Sequence, residues 1–368
     1  MSPETIITRK PGQVEVLSPV YTIDRIYRSM TGPWSQTALR LVETSRPELL
    51  WITGIRVEMV DEQAAKRMPD QLMCHVNVDF DMQRHKQLFG LKEYRDARLF
   101  TLSQGQLEIR FPAGVGVPIR SDEVLSMNTQ VLNLNWPDQT FKARHRVSID
   151  YVRDADLAQP LQPLVQCGVP VFVSLEGREI AYDAHELLQG NCPSCCVPGK
   201  KAVDWAEGLD KYARRFSNHW LVSPGRSEYR TRANSTLTLV ADTTIHYIAV
   251  HVHPYAESIE LRDLTANESI FTSRAHNLPD KIGLERVDSL SSADGVPVAV
   301  GHEYEIRTTY NNTSATDQDS MAVMFVYVLD KEYQRPDLKL EAAATGSLPE
   351  TSSPTAMKMP PAAPVATP

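Results

Sequence analysis

HYIAVHVH (246–253) and SIELRDL (258–264) set apolar residues against polar ones at every second position, with a Pro-Tyr step between them. Period two is the mark of a strand with one buried face. Short runs of β-type residues, most of them alternating in this way, recur outward in both directions, in LLWITGIRVEMV (49–60), LMCHVNVDF (72–80), LFTLSQGQLEIRF (99–111), TQVLNLNW (129–136), HRVSIDYV (145–152), VPVFVSL (169–175), STLTLVA (235–241), HEYEIRTTY (302–310) and MAVMFVYVL (321–329). Turn residues separate most of these runs. Helical stretches are scarce, DAHELLQG (183–190) and VDWAEGLDKYARRF (203–216) being the candidates. Many short alternating strands on a long chain predict antiparallel sandwiches or jelly rolls.

The chain has 368 residues, and at roughly 150 residues per domain this length predicts two domains. The expectation is an all-β protein of two jelly-roll (antiparallel β-sandwich) domains, 10–185 and 186–333, with the boundary near the Cys/Pro/Gly-rich stretch Gln189 to Lys201. After Tyr333 there is no aromatic residue, and Pro336 to Pro368 holds seven of the 25 prolines. Such a segment buries too little apolar surface to offset its ordering entropy, so 334–368 reads as a disordered tail rich in Pro, Ala, Ser and Thr.

A net charge of -8 and a pI near 5.7 argue against nucleic acid as a partner, since phosphate binding needs a concentrated basic face. Mean hydropathy is -0.31 and no long apolar run appears, so no membrane span is expected. MSPETIITRKPGQ lacks an apolar core, so no signal peptide is read as written. The chain is then cytoplasmic, or a mature periplasmic or secreted form.

The strongest chemical signal is His251-Val252-His253. In the run Tyr247, Ala249, His251, His253 the two histidines share a strand face, with Cα atoms about 6.5–7 Å apart. Two imidazoles so spaced can converge on one ion, or can be ordinary surface or structural residues. His246 falls on the opposite face. Met321 stands where the polar loop Asp317-Gln318-Asp319-Ser320 enters an apolar strand, either in the core or facing a cleft. Two imidazoles with a thioether suit copper, because soft sulfur favours Cu(I).

HYIAVHVHPYAESIELRD, followed some 60 residues later by YNNTSATDQDSMAVMFVYV, resembles the second half of the copper type II, ascorbate-dependent monooxygenases, the family of peptidylglycine α-hydroxylating monooxygenase and dopamine β-monooxygenase. The likeness extends to NHWLVSPG (218–225), YRSMTGP and LMCHVNVDF, and covers most of the chain up to about Lys331. It implies two jelly rolls facing each other across a solvent-filled cleft. It also implies an oxygen-activating copper on His251, His253 and Met321, with O2, a small organic or peptide substrate, and ascorbate or another one-electron reductant. The N-terminal domain of that family holds an electron-transfer copper on three histidines. Here the adjacent pair is Cys74-His75, and the later position falls on Asn133 or, better, Asn135. His75, Cys74 and Asn135 therefore mark either a rebuilt second metal site or one that has been lost. Amidating members hold the substrate carboxylate on an Arg two residues before the first histidine; here that position is Ala249, which argues against a peptidylglycine substrate.

Cys192-Pro193-Ser194-Cys195-Cys196 can form a disulfide, with Cys167 as a further partner, or a thiolate cluster. His251, His253 and Glu257 also spell the cupin H-x-H-x-x-x-E, though Ile245 and Leu264 stand where cupins carry glycines. Serine-hydrolase and nucleotide-binding motifs are absent. Two functions are thus carried forward. One is a copper-dependent monooxygenase-like enzyme. The other is a non-catalytic copper-binding or interaction protein of the same descent, with a cupin-like metalloprotein behind both.

Overall fold

The computed structural model describes residues 4–91, 96–174, 207–209, 215–336 and 338. Its backbone is β throughout, with one short α-helix among the described residues, so the all-β expectation holds. One long sheet organises the chain. Its strand order is Ile6–Lys10, Gln13–Leu17, Phe141–Arg153, Leu49–Asp61, Val115–Arg120, Gln162–Pro170, Ala322–Leu329, Thr243–Val252 and Leu290–Val298. A four-stranded sheet (Trp34–Leu39, Leu125–Val131, Met73–Phe80, Arg98–Ser103) packs on its N-terminal part. A five-stranded sheet containing Ala256–Asp263 and Tyr304–Asn312 packs on its C-terminal part. Two hydrophobic cores result.

The long sheet crosses between the two halves of the sequence. Gln162–Pro170 pairs antiparallel with Ala322–Leu329, from Leu164↔Leu329 to Pro170↔Val323. On the last strand, Ala322, Met324, Val326 and Val328 enter the second core, while Val323, Phe325 and Tyr327 enter the first. The neighbouring Thr243–Val252 divides in the same way, with Tyr247 and Ala249 in the first core and Ile248, Val250 and Val252 in the second. Burial on both faces explains why AVMFVYVL is almost wholly apolar instead of alternating. Tyr327 Oη donates to the Leu99 carbonyl at 2.8 Å, and its ring packs edge-on against Phe111 at 4.8 Å. The two halves are thus stitched through a common sheet.

Some local expectations are corrected. Within 203–216 the described residues include Glu207–Leu209 and Arg215–Ser217, both strands, rather than a helix. The run 235–241 is not a strand and opens in a turn: Thr236 and Leu237 both donate backbone N–H groups to the Ala233 carbonyl. Met82–Phe89 is the α-helix, capped by Asp81, whose carboxylate accepts from Arg84 N, and closed by Gly90 at φ +64. The stretch 183–190, the Gln189 to Lys201 boundary and the tail beyond Leu338 lie outside the described residues.

Candidate metal centre

Thr243–Val252 carries His251 on the face that meets the first core, and the chain continues through His253 to a turn at Tyr255 (φ +73). His246 sits where the pairing register shifts; its two ring nitrogens contact Thr244 Oγ1 and the Ser292 carbonyl, both at 2.9 Å. His251 and His253 are both buried, their rings edge to face with centroids 5.3 Å apart. His251 Nδ1 contacts Ser103 Oγ at 2.9 Å, a residue from the opposing four-stranded sheet. His253 Nδ1 donates to the Asp319 carbonyl at 3.2 Å. Both imidazoles are held neutral at pH 7: burial pushes His253 down to about 4, and His251 lies well below its ordinary value from burial and then from its neighbour His253.

A third imidazole, which the reading of the sequence did not single out, lies beside His253. Trp220–Val222 pairs with Gln318–Ser320 in the register Trp220↔Ser320, Leu221↔Asp319, which brings His219 diagonally against Asp319. His219 Nδ1 lies 3.2 Å from Asp319 Oδ1, and its ring centroid is 5.4 Å from that of His253. One nitrogen from each of His219 and His253 and one oxygen of Asp319 lie within 4.8 Å of one another. Burial lowers His219 to about 4 and raises Asp319 to about 6. Among the described residues, His219 Nε2 and Asp319 Oδ2 are buried without a hydrogen-bond partner. The signal in the sequence was NHWLVSPG, a short run with nothing to mark its histidine until the strand pairing is known.

His251, His253 and Asp319 edge a cavity of about 250 Å³ between the two cores, and His219 lies behind its lining. Cys74, Ser103, His251, His253 and Asp319 form its polar wall; Leu132, Leu134, Ile282, Ile26 and Leu221 form its apolar wall, the last two being exposed. Arg28 also lines it. Cys74 therefore stands at the same cavity as His251. His75 is buried, its Nδ1 3.2 Å from Cys74 Sγ, and burial lowers its pKa to about 3.

Met321 is buried with the first core and does not line the cavity. Its carbonyl accepts from His253 N at 3.2 Å and from Tyr310 Oη at 2.6 Å, so it stands cross-strand from His253. Asn135 is engaged elsewhere: its amide donates to the Ile282 carbonyl at 2.8 Å and accepts from Ile282 N at 2.9 Å, a bridge between the halves that uses both side-chain polar atoms. Glu257 falls at a register shift and pairs with Arg226 at 2.8 Å, away from the histidines, which removes the carboxylate the cupin pattern needs. Cys192, Cys195 and Cys196 lie outside the described residues. Cys167 is buried, its Sγ 3.9 Å from Thr238 Oγ1.

No family model and no curated protein matches the chain. Among solved structures, one described as "Crystal Structure of the STIV MCP" is similar over 84% of this chain and 96% of that chain, at 10% identity and a TM-score of 0.28. At that level the likeness carries no inference about function. No described helix is long and apolar enough to cross a membrane.

Proposed function

We propose that the chain is a copper-dependent monooxygenase-like protein that oxidises a small, partly apolar molecule in the cavity between its cores. The observation that carries this reading is the pair His251 and His253, buried and neutral on one strand face and opening onto that cavity, with Met321 cross-strand from His253. The donor chemistry of the two histidines fits copper: each neutral imidazole keeps one nitrogen lone pair free for a metal, while the Met321 side chain is packed in the first core. Bound there, copper supplies one-electron chemistry toward O2. In the overall reaction a substrate C–H becomes C–OH, the second oxygen atom leaves as water, and a one-electron reductant such as ascorbate provides two electrons with two protons.

The chain's own residues do the rest. Leu132, Leu134, Leu221 and Ile282 bind the hydrocarbon part of the substrate and exclude water. Ser103 and the Asp319 carbonyl fix the rings of His251 and His253. Asp319, raised to about 6, holds or releases a proton at the cavity edge. His75 with Cys74 is the remnant or rebuilt point of electron entry. Copper and oxygen chemistry favours a periplasmic or secreted location.

Copper stoichiometry after anaerobic Cu(I) loading, with ascorbate-dependent O2 uptake, tests this. Copper bound by the wild type and lost in His251→Ala, together with O2 uptake faster than free copper gives, supports the enzyme. A second copper lost in His75→Ala marks a rebuilt second site. Copper bound without faster uptake supports the second reading, a copper-binding protein without turnover. Asn135, tied to Ile282, and Cys74, at a histidine position of the family, favour that alternative. No bound copper sinks both.

A further inference from the structure

We propose that His219 is a third imidazole ligand of the metal and that Asp319 is the carboxylate that orients it; this rests on the metal reading of His251 and His253. The argument begins with which nitrogen of each ring is free. A backbone carbonyl only accepts, so the contact from His253 Nδ1 to the Asp319 carbonyl places the proton on Nδ1 and leaves the lone pair on Nε2. His219 Nδ1 faces the Asp319 carboxylate at 3.2 Å, which selects the same tautomer. His251 Nδ1 is engaged by Ser103. Each ring thus has Nδ1 occupied by the protein and Nε2 left for another partner.

For His219 that nitrogen is buried and has no hydrogen-bond partner among the described residues. A buried lone pair without a donor is costly, and a metal bond would offset that cost. Asp319 serves two rings at once, His219 through its carboxylate and His253 through its carbonyl, and these are the partners that ligating histidines use to fix their orientation. Its position on the edge strand Gln318–Ser320 links the two ligand-bearing strands by direct pairing on one side and by the Met321 carbonyl on the other. The ion held by such a set is a borderline, imidazole-preferring cation, copper in the reading above.

The test uses the full chain loaded with Cu(II). Electron paramagnetic resonance counts the coordinating nitrogens, and a competing chelator gives the affinity. The expected wild-type spectrum shows three imidazole nitrogens. His219→Ala, or His219→Asn if the alanine variant does not fold, should show two, with a larger loss of affinity than the roughly 10- to 100-fold typical of a lost outer partner. Asp319→Asn should keep three nitrogens and lose affinity within that range. Copper bound by two nitrogens in the wild type, or a spectrum and affinity unchanged in the His219 variant while His251→Ala abolishes binding, overturns this inference and leaves the copper reading standing. Failure of the wild type to bind copper overturns both.

Discussion

Single residues show how much of this molecule's chemistry depends on burial. His145 lies fully buried on Phe141–Arg153, its ring edge-on to Tyr21 at 5.8 Å, and burial pushes its pKa from 6.5 to about 3. The unfolded chain takes up a proton here below about pH 6.5, while the folded chain does not until about pH 3. The contribution to stability is therefore complete above 6.5 and is lost as the pH falls toward 3, at up to ~1.4 kcal/mol per pH unit. His145→Leu should flatten the acid limb of stability against pH, followed by urea unfolding from pH 7 to 4; an unaltered slope would show that His145 does not carry it. At this scale the sequence was half legible. H-x-H on an alternating strand located His251 and His253, because two-residue spacing alone fixes a shared face. His219 was not legible, because its role depends on a strand pairing about 100 residues away in the chain.

Elements follow the alternation where one face is buried and depart from it where local hydrogen bonding competes. Leu49–Asp61, Met73–Phe80 and Ala256–Asp263 lie close to where period two puts them. STLTLVA has the composition of a strand, yet it opens with Ser235 and Thr236 in a turn closed on the Ala233 carbonyl. The run LFTLSQGQLEIRF is two strands, Arg98–Ser103 and Glu108–Arg110, because Gly105 at φ +81 turns the chain between them. The helix Met82–Phe89 escaped notice because it is only eight residues long, although its cap residues, Asp81 and Gly90, are visible in the sequence. Asp81 satisfies one of the first-turn N–H groups, so Asp81→Ala should cost about 1 kcal/mol in chemical denaturation. A change below the error of the measurement would mean that packing of Leu88 and Phe89 holds the helix without its cap.

The whole molecule should unfold as one unit, because three strands, Gln162–Pro170, Thr243–Val252 and Ala322–Leu329, contribute to both cores. Tyr247, Ala249, Val323, Phe325 and Tyr327 come from the C-terminal half and fill the first core, so loss of the second sandwich would strip the first of large buried side chains. A single calorimetric unfolding transition is the expected result, and two well-separated transitions would show that the halves are independent. The packing of strands into β-sandwiches was legible from their alternation and spacing. The sheet that joins them was not, since no local pattern records which distant strand a buried one will pair with.

The pairing of Leu164 with Leu329 also sets a clock on biosynthesis. At about 5–20 residues per second, a ribosome that has delivered Gln162–Pro170 needs on the order of ten seconds more to deliver its partner strand. Throughout that interval the nascent chain carries an open, largely apolar strand edge, and the cavity with its histidines does not yet exist.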